Sequence, residues 1–125
     1  MQDSIVTGSP NIGVLANNPT TTPSQVTISR SLVSSNHYGV YVDGNNGDCC
    51  NAIADISDSS ISSNDVGIHV AGDGSTGTGT AHLKHNMFAA YGVGVEIVSA
   101  GVAVADDNYL FSDTTLLDLD FKTGA

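Results

Sequence analysis

VTISRSLVSSNHYGVYV, at residues 26–42, decides the fold, because the same phrase returns twice further along the chain. The copies are ADISDSSISSNDVGIHV at residues 54–70 and AHLKHNMFAAYGVGVEI at residues 81–97, at offsets of 28 and 27 residues. A weaker copy precedes them, SIVTGSPNIGVLA at residues 4–16, and a degenerate one follows, VADDNYLFSDTTLLDL at residues 104–119. Short β-patterned pieces that return at a period of about 20 to 30 residues predict a solenoid.

Apolar and polar residues alternate inside each copy, and the apolar set marks the side that faces the core. Three apolar sets recur in register from copy to copy, which predicts three parallel sheets. They are Val40/Val42 with Ile68/Val70, Val95/Ile97 and Leu117/Leu119; Val26/Ile28 with Ala54/Ile56 and Ala81/Leu83; and Val33 with Ile61 and Phe88.

Glycine, serine and asparagine recur at the predicted corners of the coils. Gly39, Gly67 and Gly94 precede the last strand of their copies, where a bend needs a positive φ or a missing Cβ. Asn36 and Asn64 lie three residues earlier. The preceding turn carries Ser31, Ser59, Asn86 and Asn108. We expect these polar side chains to satisfy backbone groups at the corners through stacked hydrogen bonds.

The composition of the 125-residue chain favours one all-β domain. Residues that stabilise helix interiors are scarce, whereas Ser, Thr, Asn and Gly are abundant. The chain has 13 acidic residues, 3 basic ones and a net charge of -10. Arg30, Lys84 and Lys122 are too few to follow a phosphate backbone, so we expect no nucleic acid and no membrane as partners. Residues 1–7 show no signal-peptide pattern.

The repeated phrases resemble the coils of the right-handed parallel β-helix, the pectate-lyase-like superfold, over nearly the whole chain. The resemblance implies an all-β, right-handed parallel β-helix solenoid of about five coils with three parallel sheets. A single domain, residues 1–125, would hold coils at roughly 3–25, 26–53, 54–80, 81–101 and 102–121. Family enzymes have more coils, so this chain resembles a miniature or a fragment, and the resemblance favours a secreted or cell-surface protein.

The same resemblance bears on catalysis, since the family holds pectate lyases, polygalacturonases, tailspikes and many uncharacterised repeat proteins. Asp106 and Asp107 resemble the aspartate pair of its hydrolases, and His69 is a further weak candidate. The Gly-His-Gly and Arg-Ile-Lys segments of the family are absent, and the shortage of cations argues against lyase chemistry. Asp106 and Asp107 are also what a solvated turn would contain, so we expect no catalytic residues.

An outward stripe is the main candidate for ligand binding. Tyr41, His69, Glu96 and Asp118 occupy one outward position in successive copies, and Leu15 begins the row. Stacked about 4.8 Å apart, they would form a line of roughly 20 Å in which His69 and Glu96 are close enough to pair. The line would suit a sugar chain or one cation, although an ordinary solvent-facing strand has the same pattern. A second outward stripe, Thr27, Asp55 and His82, is polar in the same way.

The longer loops all join the last strand of one copy to the first strand of the next, so they share one edge. Asp43, Asp48 and Asp73 make that edge acidic, and Ca²⁺ is conceivable there, but the double-glycine calcium repeat is missing. We therefore expect no metal site and no cofactor. Cys49 and Cys50 lie at the centre of the same edge and leave the redox state open.

The open ends of a short β-helix expose apolar ladders and unpaired backbone groups, which favours a homo-oligomer that pairs them. We expect a non-catalytic β-helix module, structural or ligand-binding, with carbohydrate as the first ligand class. The alternative is a small polysaccharide-active enzyme, either a lyase or a glycoside hydrolase.

Overall fold

The computed structural model of the protein describes residues 1–17, 23–44, 51–72, 77–89, 92–99 and 101–111. These residues form short strands joined by corners and loops, and no helix occurs among them. Across these ranges, accordingly, no helix is long and apolar enough to cross a membrane. The strands are β1 (Ile5–Thr7), β2 (Ile12–Asn17), β3 (Ser24–Ser29), β4 (Leu32–Ser34), β5 (Tyr38–Asp43), β6 (Ala52–Ser57), β7 (Ser60–Ser62), β8 (Val66–Gly72), β9 (Gly79–Lys84), β10 (Met87–Ala89), β11 (Val93–Ser99), β12 (Val102–Asp106) and β13 (Tyr109–Phe111).

The strands are distributed over three parallel sheets, as the three apolar sets predict. The first sheet has the order β1-β4-β7-β10-β13, the second contains β2, β5, β8 and β11, and the third contains β3, β6, β9 and β12. Each coil contributes one strand to each sheet and pairs in parallel with the coils on either side. The prediction of a parallel β-helix with three sheets is confirmed.

The coil count differs slightly from the sequence-based expectation of about five. The strands from β1 to β12 make four coils, and β13 begins the next one. The rest of the fifth coil, including Leu117 and Leu119, lies outside the described residues.

The core is a column of apolar side chains between the three sheets. Val33, Ile61 and Phe88 come from the first sheet and are fully buried, as the sequence pattern predicts. The described members of the other two predicted sets are buried with them in a single cluster, except Val26, which is partly buried against it: Val40, Val42, Ile68, Val70, Val95 and Ile97 from the second sheet, and Ile28, Ala54, Ile56, Ala81 and Leu83 from the third. Each buried residue is paired in register with its equivalent in the next coil. Because neighbouring coils cover each other in this way, apolar side chains are removed from water even though the solenoid is narrow.

Buried asparagine and serine side chains join successive coils at two corners. At the first corner, Asn86 accepts a hydrogen bond from the backbone N–H of Ser59 at 3.0 Å and donates to the carbonyl of Ile56 at 2.8 Å. One coil earlier, the Ser59 hydroxyl accepts from the N–H of Ser31 at 3.1 Å. At the second corner, Asn64 accepts from Asn36 and donates to the carbonyl of Val33. The predicted stacked polar corners are confirmed.

Replacing Asn86 by alanine should destabilise the protein by about 2 to 4 kcal/mol, because two buried backbone groups lose their partner. Asn86→Ser is the graded control, since its hydroxyl can accept from Ser59 as Ser59 does from Ser31 but cannot reach the carbonyl of Ile56. Urea unfolding should place the serine variant between wild type and alanine. Equal losses in the two variants would show that the asparagine bonds are not what stabilises this corner.

The recurring corner glycine is required by a close approach between coils and not by its φ angle. Gly8 is the only described glycine with a positive φ, at 79°. A Cβ on Gly67 would lie 2.5 Å from the carbonyl oxygen of Gly94, and one on Gly39 would lie 2.5 Å from the carbonyl oxygen of Gly67. Of the two explanations left open by the sequence, the missing Cβ is therefore correct.

Gly67→Ala should cost about 3 kcal/mol of unfolding free energy, because its Cβ meets backbone that cannot move without shifting a strand. Gly8→Ala is the matched control: its Cβ would have nothing within 4 Å, so only the left-handed conformation costs energy, about 1 kcal/mol. Urea unfolding of both variants measures the difference. A smaller loss for Gly67→Ala than for Gly8→Ala would contradict the close-approach explanation.

Candidate functional site

A row of left-handed residues runs along the corner between the third sheet and the first. Each follows the end of a third-sheet strand or its equivalent, and each has a φ between 45° and 55°. We call this row the corner ladder: Asp3, Arg30, Asp58, His85 and Asp107. The side chains are about half exposed or more. The fold thus brings five charged or titratable groups, one from each successive coil, into one line on the surface.

Acids and bases alternate along the corner ladder. Arg30 donates two hydrogen bonds to the carboxylate of Asp3, both at 2.9 Å. His85 lies between the other two acids, with Nδ1 3.5 Å from Asp58 and Nε2 3.8 Å from Asp107. Exposed pairs of this kind contribute about 0 to 1 kcal/mol each, so the ladder adds little stability. Its charged groups remain accessible to solvent and to ligands.

A surface groove of about 480 Å³ lies beside the second half of the corner ladder. Three successive coils form its lining: each contributes its ladder residue and the first outward residue of the first sheet, and the first two also contribute their corner polar residue. The lining residues are Asp58, Ser59, Ser60, His85, Asn86, Met87, Asp107 and Tyr109. The Tyr109 residue is 64% exposed, so much of its surface is open to solvent. The groove combines carboxylates, a histidine and hydroxyl groups with an aromatic and a thioether surface.

The outward stripe predicted from the sequence forms on the second sheet as far as the structure describes it. Leu15, Tyr41, His69 and Glu96 are directly paired in register, and Asp118 lies outside the described residues. His69 Nδ1 is 2.7 Å from Glu96 Oε2, so this predicted pair is confirmed. The imidazole also stacks on the ring of Tyr41, with the ring centres 4.2 Å apart.

The stripe is packed more tightly than a ligand-binding surface would be. His69 is only 8% exposed, and the ring of Tyr38 lies edge-on to both Tyr41 and His69, at 5.1 and 5.3 Å. Burial first, and then the charge of Asp43, raise the pKa of Tyr41 above 10.0, so its phenol is neutral at ordinary pH. The aromatic groups of the stripe already contact each other, which leaves less ring surface for a ligand than separate rings would.

The second stripe, on the third sheet, forms a hydrogen-bonded network. His82 Nδ1 lies 2.7 Å from Asp55 Oδ1, and Gln25 Nε2 donates to Asp55 Oδ2 at 2.6 Å. The bond from His82 lowers the pKa of the Asp55 carboxyl below its usual 3.8, partial burial opposes the shift, and the bond from Gln25 adds to it. The ionised carboxylate therefore stabilises the folded protein.

Asp55→Asn should lower the melting temperature at neutral pH and have a diminishing effect in acid. Because the folded pKa is depressed, the contribution of Asp55 is fully present above pH 3.8 and is lost as the pH falls through the folded value. Thermal unfolding of wild type and variant across this range measures the gap. In a His82→Gln background the same substitution should cost less. A gap that persists in strong acid would contradict this assignment.

The weak catalytic candidates do not share one surface of the described structure. Asp106 ends β12, where it pairs in register with Lys84, and Asp107 follows it in the corner ladder. His69 lies on the second sheet with Glu96 and Tyr41 as its neighbours. The structure therefore places Asp107 in the groove with His85 and Asp58, a combination that the sequence analysis did not single out.

The calcium candidates on the loop edge are only partly described. Asp43 ends β5, whereas Asp48, Asp73 and both cysteines lie outside the described residues. Within the residues that are described, no group of three or more His, Cys, Asp or Glu side chains is arranged to hold a metal ion.

Sequence reasoning missed the corner ladder and the groove beside it. The signal was present, since Arg30, Asp58, His85 and Asp107 all occupy the position after the third-sheet strand of their copy. Their chemical types differ, so the position does not stand out as a repeat, and only the shared backbone conformation relates them.

The chain matches no protein-family model, no characterised protein and no solved structure.

Proposed function

We propose that this protein is a non-catalytic, carbohydrate-binding β-helix module whose binding site is the groove beside the corner ladder. The observation that carries the proposal is the exposed ring of Tyr109 in a groove of about 480 Å³ that also presents carboxylates, a histidine and hydroxyls. Ligand sites in proteins have volumes of about 300 to 1,000 Å³ and combine apolar surface with a few polar groups.

The lining suits the two-sided chemistry of a sugar. A pyranose ring has a C–H face that packs on an aromatic ring, and a rim of hydroxyl groups that hydrogen-bond to carboxylates and imidazoles. Tyr109 and Met87 supply the apolar part of the groove, and Asp58, His85 and Asp107 supply acceptors and donors. The stripe of Tyr41, His69 and Glu96 is the weaker location, because its rings already pack on one another.

The resemblance to the pectate-lyase-like superfold is a further part of the proposal. It rests on the repeated coil phrase and on the three-sheet parallel architecture. A fold of this kind hosts many unrelated functions, so the groove and not the fold must carry the assignment. The homo-oligomer expected from the open ends of the solenoid stays a prediction.

A small glycoside hydrolase is the second candidate, because the groove contains two carboxylates, Asp58 and Asp107. They are two coils apart, which corresponds to about 10 Å along the axis. That separation is wider than the roughly 5 Å of retaining hydrolases and close to the upper limit for inverting ones. If glycan cleavage is observed and Asp107→Asn abolishes it, the enzyme hypothesis replaces the binding module.

Tyr109→Ala should weaken glycan binding roughly tenfold, because the sugar loses its aromatic platform. Ile5→Ala is the matched control, since Ile5 begins the same outward row of the first sheet and is similarly exposed, but does not line the groove. A panel of neutral, acidic and amino-sugar oligosaccharides, measured by calorimetry, supplies the ligands. Binding to none of them, or equal affinity in the two variants, would contradict the proposal.

A further inference from the structure

The groove has an electrostatic character that restricts which glycan it can take. Its described lining contains two carboxylates and one histidine but neither lysine nor arginine. The whole chain carries a net charge of -10, so the wider field is also negative. A uronate chain, whose residues each carry a carboxylate, would be repelled at this surface. A glycan with positively charged groups would be attracted.

The corner ladder itself shows how a cation is held at this position of the coil. Arg30 occupies the ladder one coil above Asp3, and its guanidinium donates two hydrogen bonds of 2.9 Å to the oxygens of that carboxylate. Asp58 and Asp107 present the same group in the same left-handed conformation, with φ values of 50° at both. The described lining of the groove has no lysine or arginine beside them, and each faces His85 instead, at 3.5 and 3.8 Å.

The spacing of the acids fits an extended sugar chain that lies along the solenoid axis. Successive coils are about 4.8 Å apart, which is close to the length of one pyranose residue in an extended chain. In a β-1,4-linked chain, successive residues face opposite ways, so a given substituent returns to the same side at every second residue. Asp58 and Asp107 are two coils apart, with His85 between them.

We propose that the groove binds a β-1,4-linked amino-sugar oligomer, with the ammonium groups of alternate residues on Asp58 and Asp107 and a ring on Tyr109. This inference rests on the proposed carbohydrate-binding function and specifies its ligand class. The exposed carboxylates make individually modest contacts, so the preference for an amine over its neutral counterpart arises from two of them acting together.

The test compares three trimers by calorimetry at mildly acidic pH, where the amines are protonated: β-1,4-linked glucosamine, its N-acetylated form and galacturonic acid. The glucosamine trimer should bind roughly tenfold tighter than the N-acetylated one, because an ammonium group on each of the two carboxylates should raise the affinity about threefold. Added salt should reduce this difference. The galacturonate trimer should not bind.

Asp58→Asn and Asp107→Asn should each weaken binding of the glucosamine trimer about threefold and leave the N-acetylated trimer unaffected. Asparagine tolerates the left-handed conformation, so both variants should fold. Asp65→Asn is the matched control, because its side chain is 77% exposed against 78% for Asp107, and it lies outside the groove lining.

The outcomes separate this inference from the proposed function. If the N-acetylated trimer binds as tightly as the glucosamine trimer and Tyr109→Ala weakens both, the carbohydrate site stands and the amino-sugar preference is wrong. The same conclusion follows if the Asp58 and Asp107 variants behave like Asp65→Asn. If no trimer binds to the folded protein, the amino-sugar inference fails, and the proposed function fails with it when the full oligosaccharide panel also shows no binding.

Discussion

The structure depends on one constraint: each coil must return so that every residue lies directly above its equivalent in the coil before. The buried corner side chains enforce this register, because Asn86 is bonded at once to Ser59 and Ile56 of the preceding coil and to Asn108 of the following one. A coil that slipped by one residue would leave these groups buried without partners and would turn the core set outward. The apolar column and the glycine contacts follow from the same register.

The register also determines the chemistry of the surface, since a side chain can pair only with what the neighbouring coils place beside it. All four histidines of the chain meet a carboxylate from an adjacent coil: His37 with Asp65, His69 with Glu96, His82 with Asp55 and His85 with two acids. Aspartates that look dispersed along the sequence are therefore partners of the few bases. In the groove two carboxylates, Asp58 and Asp107, share the single base His85, and this excess of acid over base is what the groove offers to a ligand.

The repeated phrase was sufficient to predict the sheets, the inward residues and the polar corners, because burial imposes the same residue type at each coil. Val33, Ile61 and Phe88, for example, are all apolar and occupy the same position in successive copies. The groove could not be predicted in this way. Arg30, Asp58 and His85 differ in type, and what they share is a left-handed backbone, which the sequence does not display. Whether the corner glycine served φ or packing was also undecidable without the carbonyl 2.5 Å away.

A regular stripe of outward side chains, such as Tyr41, His69 and Glu96, is a poor guide to a binding site. Because equivalent residues are evenly spaced, the rings of Tyr41 and His69 stack on each other at 4.2 Å. The ring faces that would bind a ligand are therefore partly covered by each other. In the groove the outward row changes from Ser60 to Met87 to Tyr109, and the unlike side chains do not fill the space beside the corner ladder. Irregularity within a strict register therefore leaves room for a ligand, and the departures from the repeat are where its contacts should be sought.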